Sequence, residues 1–108
     1  MSYTVEHYIT PDGKDPTQDW LDDLRDLRAR IAILRRIDRV ELGNFGDHKS
    51  VGGGVSELRV DVGPGYRVYY AQAGNTLVLL LLGGDKRSQQ SDIERAITCW
   101  NDWQRRDK

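Results

Sequence analysis

Two arginines, Arg59 and Arg67, are the residues of this sequence best placed to do chemistry. In the stretch SELRVDVGPGYRVYY, residues 56–70, apolar and polar side chains alternate with the two-residue period of a β-strand. Glu57 and Arg59 then share one face, and a Gly-Pro-Gly turn returns the chain so that Arg67 lies on the neighbouring strand. Guanidinium groups placed side by side in this way can bind a phosphate.

Further hydrogen-bond donors flank the two arginines at the ends of the predicted strands. Two hairpins would bring them to one polar sheet face, where the full set is His48, Lys49, Arg59, Arg67, Lys86 and Arg87. This convergence predicts a phosphate-binding cluster with an exposed surface. The alternative is purely structural, because Glu57 and Asp61 could pair with the two arginines across the strands, each pair contributing only ~0.2–1 kcal/mol. Spacing leaves both interpretations open.

RNA is a substrate on which such a cluster could act without a metal. Its 2′-hydroxyl can attack the adjacent phosphate if a base takes the proton, cations stabilise the developing charge and an acid protonates the leaving oxygen. Because imidazole titrates near neutral pH, His48 suits either proton-transfer role, and Glu57 is a second candidate base. Tyr69 shares the arginine face and could stack on a nucleobase, whereas Tyr66 and Tyr70 are expected in the core.

Other classes of site have little support in the sequence. One cysteine and two histidines give no zinc-binding spacing, and the acidic residues do not follow a calcium-loop pattern. The glycines match neither the phosphate-loop nor the dinucleotide-binding spacing, so we interpret them as turn residues. His7 shares a strand face with apolar neighbours and is interpreted as a packed, hydrogen-bonded histidine. We therefore expect no metal and no cofactor.

The composition indicates one domain, residues 1–108, large enough to bury a single core. Cys99, the single cysteine, excludes an internal disulfide and fits a reducing compartment. The longest apolar run, residues 77–82, is too short to span a bilayer, and the N-terminus lacks a signal-peptide pattern. These features predict a cytoplasmic protein that does not bind a membrane.

Charge is segregated along the chain although the net charge is only -1. Residues 12–23 carry five aspartates against one lysine, whereas residues 25–39 carry six arginines against two aspartates. The usual explanation of such a run is a solvated helix face with local charge pairing, and the alternative is a binding surface.

The elements that must position these residues follow the order βααβββα. Apolar periodicity and turn signals predict strands over 3–9, 55–62, 66–73 and 76–83, while residues 45–54 are predicted as a glycine-rich loop. Helices are predicted to begin after an Asp15 cap, to run from about 27 to 42, and to follow a Ser88 cap. The expected fold class is α+β: a four-stranded, mainly antiparallel sheet with a helical hairpin on one face and a C-terminal helix. The strand 76–83, apolar on both faces, should lie inside the sheet.

Two long segments carry a family resemblance. The run GDHKSVGGGVSELRVDVGPGYRVYY, followed by LVLLLLGGDKRSQQSDIERA, resembles the RelE/ParE toxin superfamily, in particular the phage Gp49-like, HigB-type addiction module killer proteins. The likeness extends to the helix DWLDDLRD and the junction LGNFGDHK, so it covers nearly the whole chain.

The resemblance implies a toxin of a type II toxin–antitoxin system that cleaves mRNA on translating ribosomes, a metal-independent endoribonuclease or mRNA interferase. By position, Arg67 matches the family arginine that contacts the scissile phosphate, Arg59 matches a basic position on the preceding strand, and Lys86 and Arg87 match a basic turn. The implied partners are mRNA, the ribosome and a cognate antitoxin, typically a helix-turn-helix protein encoded alongside, with a higher-order complex on operator DNA.

The sequence departs from this pattern at one point, because the functional tyrosine that RelE carries in its C-terminal segment has no counterpart near Ile93. Two alternatives therefore accompany the nuclease hypothesis. ParE-like members share the architecture but inhibit DNA gyrase, and a third class would bind the antitoxin through a degenerate active site.

Overall fold

A computed structural model describes residues 2–106, in which five strands and three helices follow the order βααββββα. The strands are β1 (Thr4–His7), β2 (His48–Gly52), β3 (Val55–Val60), β4 (Tyr66–Ala73) and β5 (Leu77–Asp85). The helices are α1 (Pro16–Asp23), α2 (Leu27–Glu41) and α3 (Gln89–Arg106), and a 3₁₀ turn, Lys86–Ser88, precedes α3. Among residues 2–106, no helix has the length and apolar character needed to cross a membrane.

The sheet has five strands in the order β1-β5-β4-β3-β2, so the four-strand prediction was wrong in this detail. β1 is parallel to β5, and the other neighbours are antiparallel. Residues 48–52, predicted as loop, form the edge strand β2. Its side chains are mostly exposed, so pairing of its backbone with β3, rather than an apolar pattern, makes it a strand. The predicted interior position of β5 is confirmed.

The helical hairpin α1–α2 covers one face of the sheet, as predicted. Asp15 caps α1 by accepting a hydrogen bond from the Gln18 N–H, and Pro16 occupies the first turn. Asp26 caps α2 in the same way. The buried residues on this face are Leu21, Ala29, Ile33, Ile37, Val40, Leu58, Val60, Tyr66, Val68, Tyr70, Val78 and Leu80, which confirms the core positions of the two tyrosines.

Helix α3 covers the opposite face, where it buries a second core. That core contains Tyr8, Val55, Tyr69, Ala71, Leu79, Leu81, Leu82, Ala96 and Trp100. The reason lies in β5, because its alternate leucines point to both sides of the sheet and need cover on both. Helix α3 therefore covers most of the sheet face that was predicted to be an exposed polar surface.

Gly83 and Gly84, interpreted as turn residues, instead lie inside β5. A Cβ at Gly83 would collide with the Trp20 ring on the hairpin side, and a Cβ at Gly84 would collide with the Asp92 carboxylate on the α3 side. The two glycines thus let a helix approach each face of the same strand closely.

Candidate active site

The two arginines face each other directly across the sheet. Arg59 on β3 is the register partner of Arg67 on β4, and Arg67 is in turn opposite Gly84 on β5. Directly opposed residues share a sheet face, and so do residues two apart along one strand. The neighbouring row on the same face therefore contains Lys49, Glu57 and Tyr69.

A single carboxylate, that of Glu57, holds both guanidinium groups. Its Oε2 accepts a hydrogen bond from Arg59 Nε at 2.7 Å and lies 3.5 Å from Arg67 Nε. Its Oε1 accepts a hydrogen bond from Gln89 Nε2 at 2.9 Å. The hydrogen bond that Arg59 donates to Glu57 raises the pKa of Arg59. Glu57 is fully buried, so it fixes the arginines and is out of reach of a substrate in this conformation.

Pairing through Glu57 is thus present, as the structural alternative predicted, whereas pairing through Asp61 is not. Asp61 is exposed beyond the end of β3 and lines a groove beside α2 instead. The cluster is an arrangement of two cations around one anion.

The arginines differ in their access to solvent. The Arg59 side chain is 33% exposed, whereas that of Arg67 is 11% exposed and donates a hydrogen bond from Nη1 to the Tyr66 carbonyl. The expectation that Arg67 lies on an open surface was wrong, because the side chain lies on the sheet face on which α3 packs. Arg59 is the arginine that a ligand can reach.

Exposed cations lie on the strand and the turn on either side of the arginine pair. Lys86 and Arg87 occupy the 3₁₀ turn, and Lys49 lies in the neighbouring row of the sheet. The Lys86 N–H donates to the Gly65 carbonyl at 3.2 Å, which joins this turn to the β3–β4 turn. We call Lys49, Arg59, Lys86 and Arg87 the basic rim.

Asp85 fixes the conformation of this turn. Its carboxylate accepts hydrogen bonds from the N–H groups of Arg87, at 2.8 Å, and Ser88, at 3.3 Å. Burial acts to raise the pKa of Asp85, but hydrogen bonds from the Arg87 side chain and from both N–H groups outweigh it, and the pKa is lowered. Asp85, rather than the predicted Ser88, therefore caps the 3₁₀ turn that leads into α3.

His48 does not join the cluster, contrary to the expected convergence. Its register partner is Leu58, which faces the helical hairpin, so the His48 side chain lies on the opposite side of the sheet from Arg59. The imidazole is exposed, with Nδ1 2.9 Å from the Gly46 carbonyl and the ring 5.7 Å from that of Phe45. A proton-transfer role for His48 at Arg59 has no geometric support.

Tyr69 lies on the arginine face, as predicted, but it is fully buried beneath α3. Burial raises the pKa of Tyr69, and the Glu57 and Asp92 carboxylates raise it further. Within residues 2–106 its hydroxyl has no hydrogen-bond partner. The ring therefore packs in the core and cannot stack on a nucleobase in this conformation.

Sequence reasoning missed Gln89 and Asp92, two α3 residues that lie on the arginine side of the sheet. Gln89 binds Glu57, while Asp92 is buried over Gly84 and accepts a hydrogen bond from Ser88 Oγ at 2.5 Å. Their signal was the polar segment SQQSD directly after the basic turn, since i, i+3 and i+4 spacing puts polar residues on one helix face.

The other polar groups of interest lie apart from this cluster. His7 forms the predicted hydrogen bond, with Nδ1 2.8 Å from Asp15 Oδ2. Among residues 2–106, no group of three or more His, Cys, Asp and Glu side chains is arranged to hold a metal ion.

Comparison with known proteins places the chain in a family. A model of the family described as "Phage derived protein Gp49-like (DUF891)" matches residues 19–100, which include α2, the arginine pair and most of α3. The chain is also 53% identical over 77 residues to a protein of Haemophilus influenzae strain Rd named "Uncharacterized protein". The aligned region covers 71% of this chain and 78% of that relative. The chain therefore belongs to the phage-derived Gp49-like family, a RelE/HigB-type toxin family associated with toxin–antitoxin systems.

Proposed function

We propose that this protein is a type II toxin that cleaves mRNA on translating ribosomes as a metal-independent endoribonuclease. The observation that carries the proposal is the register pairing of Arg59 with Arg67 around one buried carboxylate, with exposed Lys86 and Arg87 just beyond Gly84, the register partner of Arg67 on β5. A guanidinium group that is held in place, together with exposed cationic side chains, is an arrangement suited to phosphate.

The reaction would be an internal transesterification of RNA. The 2′-oxygen forms a bond to phosphorus while the bond from phosphorus to the 5′-oxygen breaks, giving a cyclic 2′,3′-phosphate and a free 5′-hydroxyl. The proton lost by the 2′-hydroxyl goes to a base, and the leaving 5′-oxygen takes up a proton. Negative charge develops on the non-bridging phosphate oxygens, and this is the charge that fixed guanidinium and ammonium groups stabilise.

Each residue of the cluster has a distinct role in this proposal. Arg59 and Lys86 contact the phosphate, and Lys49 and Arg87 bind the flanking backbone of the RNA strand. Glu57 is a positioning residue, since it is fully buried and orients Arg59 through a 2.7 Å hydrogen bond. Arg67 adds positive charge to the phosphate site from its largely buried position in the sheet.

The proposed setting explains the near-neutral total charge. With 16 basic and 17 acidic residues, free RNA would be bound weakly, so affinity would come from the ribosome and from RNA already held there. A cognate antitoxin, expected to be a helix-turn-helix protein, would neutralise the toxin and could assemble with it on operator DNA.

The test is primer extension on a reporter mRNA after brief expression of the chain. Wild-type protein should create new 5′ ends inside the coding region, in phase with codons. Lys86→Ala and Arg59→Gln should each reduce cleavage by about 100-fold, the usual cost of one charge-stabilising donor. Lys14→Ala, which removes an exposed lysine from the loop after β1, should not. Growth arrest without new 5′ ends would refute the nuclease.

One observation favours a second candidate, a toxin that acts by binding alone, such as a DNA gyrase inhibitor. Neither of the two proton-transfer candidates can reach a phosphate bound at Arg59, because Glu57 is buried and His48 lies on the other face of the sheet. A supercoiling assay separates the two, because inhibition of gyrase by the wild type and by Lys86→Ala alike would support the binding toxin.

A further inference from the structure

Helix α2 exposes an unusual share of the large apolar side chains. In residues 2–106 the exposed large hydrophobics are Ile9, Leu27, Ile31, Leu34 and Leu42, so four of the five lie on α2 or at its C-cap. Leu27, Ile31 and Leu34 follow i, i+4, i+7 spacing, which aligns them along one side of the helix. We call these three residues the α2 stripe; they are 62%, 41% and 43% exposed, respectively.

The stripe does not belong to the folded core. The buried face of α2 is made by Ala29, Ile33, Ile37 and Val40, and at 100° per residue the stripe is centred more than a third of a turn away from it. Solvent exposure of aliphatic side chains is normal when they are scattered. An aligned row of three is the pattern of a helix that packs on a second partner.

A row of arginines runs beside the stripe. Arg28, Arg35 and Arg39 project about a quarter of a turn from it and are exposed. Within residues 2–106, no carboxylate lies within 4.0 Å of any of these three guanidinium groups, so their charge is not used inside the fold.

The arginine row borders a groove of about 310 Å³ between α2 and the end of β3. Arg35, Arg36 and Arg39 line one side of it, and Val60 and Val62 line the other. Arg36 is held in place because its Nη2 donates to the Phe45 and Asp47 carbonyls, each at 3.0 Å. The carboxylate of Asp61 also lines the groove, so three arginines against one aspartate leave it with a net positive charge, which suits an added carboxylate.

We propose that the α2 stripe and its arginine row are the docking surface for an acidic amphipathic helix of the cognate antitoxin. The inference rests on the proposed toxin function and names the surface through which this toxin is held. Leucine-type side chains of the partner helix would cover the stripe, and its glutamates or aspartates would reach Arg28, Arg35 and Arg39.

Charge and chemistry favour this occupant over two others. RNA would use the arginines but would gain nothing from three aliphatic side chains, and the exposed side of α2 has no aromatic residue on which a base could stack. A second copy packed antiparallel through the same stripe would set one arginine row against the other, because like flanks meet in an antiparallel pair.

The surface also lies away from the proposed active site. α2 packs on the hairpin side of the sheet, whereas Arg59, Glu57 and Arg67 face α3. Substitutions in the stripe should therefore change antitoxin binding without changing toxicity, and this separates the surface from the site.

The experiment uses the product of the adjacent gene as the binding probe. Affinity is measured by isothermal titration, and rescue is measured as recovery of growth on co-expression. Ile31→Glu combined with Leu34→Glu should weaken binding by at least ~100-fold, as expected for two central apolar contacts. The variant should still arrest growth but should no longer be rescued. Ile9→Glu, which alters the exposed apolar residue outside α2, is the matched control and should bind and be rescued as the wild type is.

Five results are informative. The docking proposal would be overturned if the double variant bound the probe with wild-type affinity. It would also be overturned if the wild type were a dimer, the variant were a monomer and binding of the probe persisted. Failure of the wild type to bind the probe would overturn it as well. If the double variant is not toxic, hydrogen exchange on the wild-type complex decides: protection over residues 27–42 supports the surface and protection elsewhere overturns it. Failure of the wild type to arrest growth, with binding lost only in the α2 variant, would refute the toxin function and keep the docking surface.

Discussion

Replacing Glu57 with glutamine should destabilise the protein more than any other single isosteric change in the arginine cluster. The carboxylate is fully buried and receives contacts from Arg59, Arg67 and Gln89. An amide of nearly the same volume keeps one acceptor oxygen but loses the negative charge. Two guanidinium groups that are register partners would then face each other without their shared counter-ion.

The expected cost follows from the burial of the partners. Removing one member of a buried ion pair costs about 3–5 kcal/mol, since the remaining charge is left uncompensated. Arg59 is 33% exposed, so water screens part of that charge and the lower end of the range applies, about 3 kcal/mol. For a domain near 100 residues this corresponds to a fall in Tm of about 12 °C.

Thermal and urea unfolding of the purified chain, at neutral pH, test this prediction. Glu94→Gln is the matched control, because Glu94 is exposed on α3, and its Tm should change by less than about 2 °C. A double-mutant cycle with Arg59→Gln should give a coupling free energy of at least about 1 kcal/mol. A loss below about 1 kcal/mol for Glu57→Gln would refute the reasoning that this carboxylate organises both arginines.

Three further predictions test the surroundings of the cluster and use four substitutions. Tyr69→Phe should leave stability unchanged or raise it by up to about 1 kcal/mol, because it removes a buried unpaired hydroxyl, whereas Tyr8→Phe should cost about 1–2 kcal/mol through loss of its 2.7 Å hydrogen bond to a carboxylate. Gly84→Ala should cost about 1–3 kcal/mol, since the new Cβ collides with Asp92 and lifts α3 from the sheet. Folding lowers the pKa of Asp85, so its negative charge should stabilise the native state at pH values above the unfolded pKa of about 3.9. The Tm difference between wild type and Asp85→Asn at pH 7 should therefore disappear as the pH falls towards about 2.

Each of these has a clear contrary result. Equal losses for the two tyrosine variants would mean that the Tyr69 hydroxyl has a partner. A Gly84→Ala protein as stable as Gln90→Ala, an exposed substitution in α3, would show that the helix has room to shift. A Tm difference for Asp85→Asn that grows on acidification would reverse the sign of its contribution.

The sequence alone determined those features that depend on local periodicity and local hydrogen bonding. Strand alternation put Glu57, Arg59 and Arg67 on one face and Tyr66 and Tyr70 on the other, because successive side chains of a strand must point to opposite sides. The cap pair Asp15 and Pro16 located the start of α1, since both act within one helical turn. The apolar segment 77–82 predicted an interior strand because a strand that is apolar on both faces needs cover on both.

Only the tertiary structure decided which residues share a site. The β2–β3 register pairs His48 with Leu58 and Lys49 with Glu57, and a shift of one residue would have reversed the two faces. That register depends on the glycine-rich turn and the irregularity between Ser50 and Gly52, which side-chain patterns do not encode.

The position of α3 was also a long-range outcome. The amphipathic pattern of α3 shows that it packs on something, but the same pattern would suit either face of the sheet. The helical hairpin covers one face of the sheet, and the apolar side chains of β5 on the other face are buried when α3 packs on them. Burial of Glu57, Arg67 and Tyr69 follows from that choice of face, because a buried position is a property of the packed layers and not of the strand that carries it.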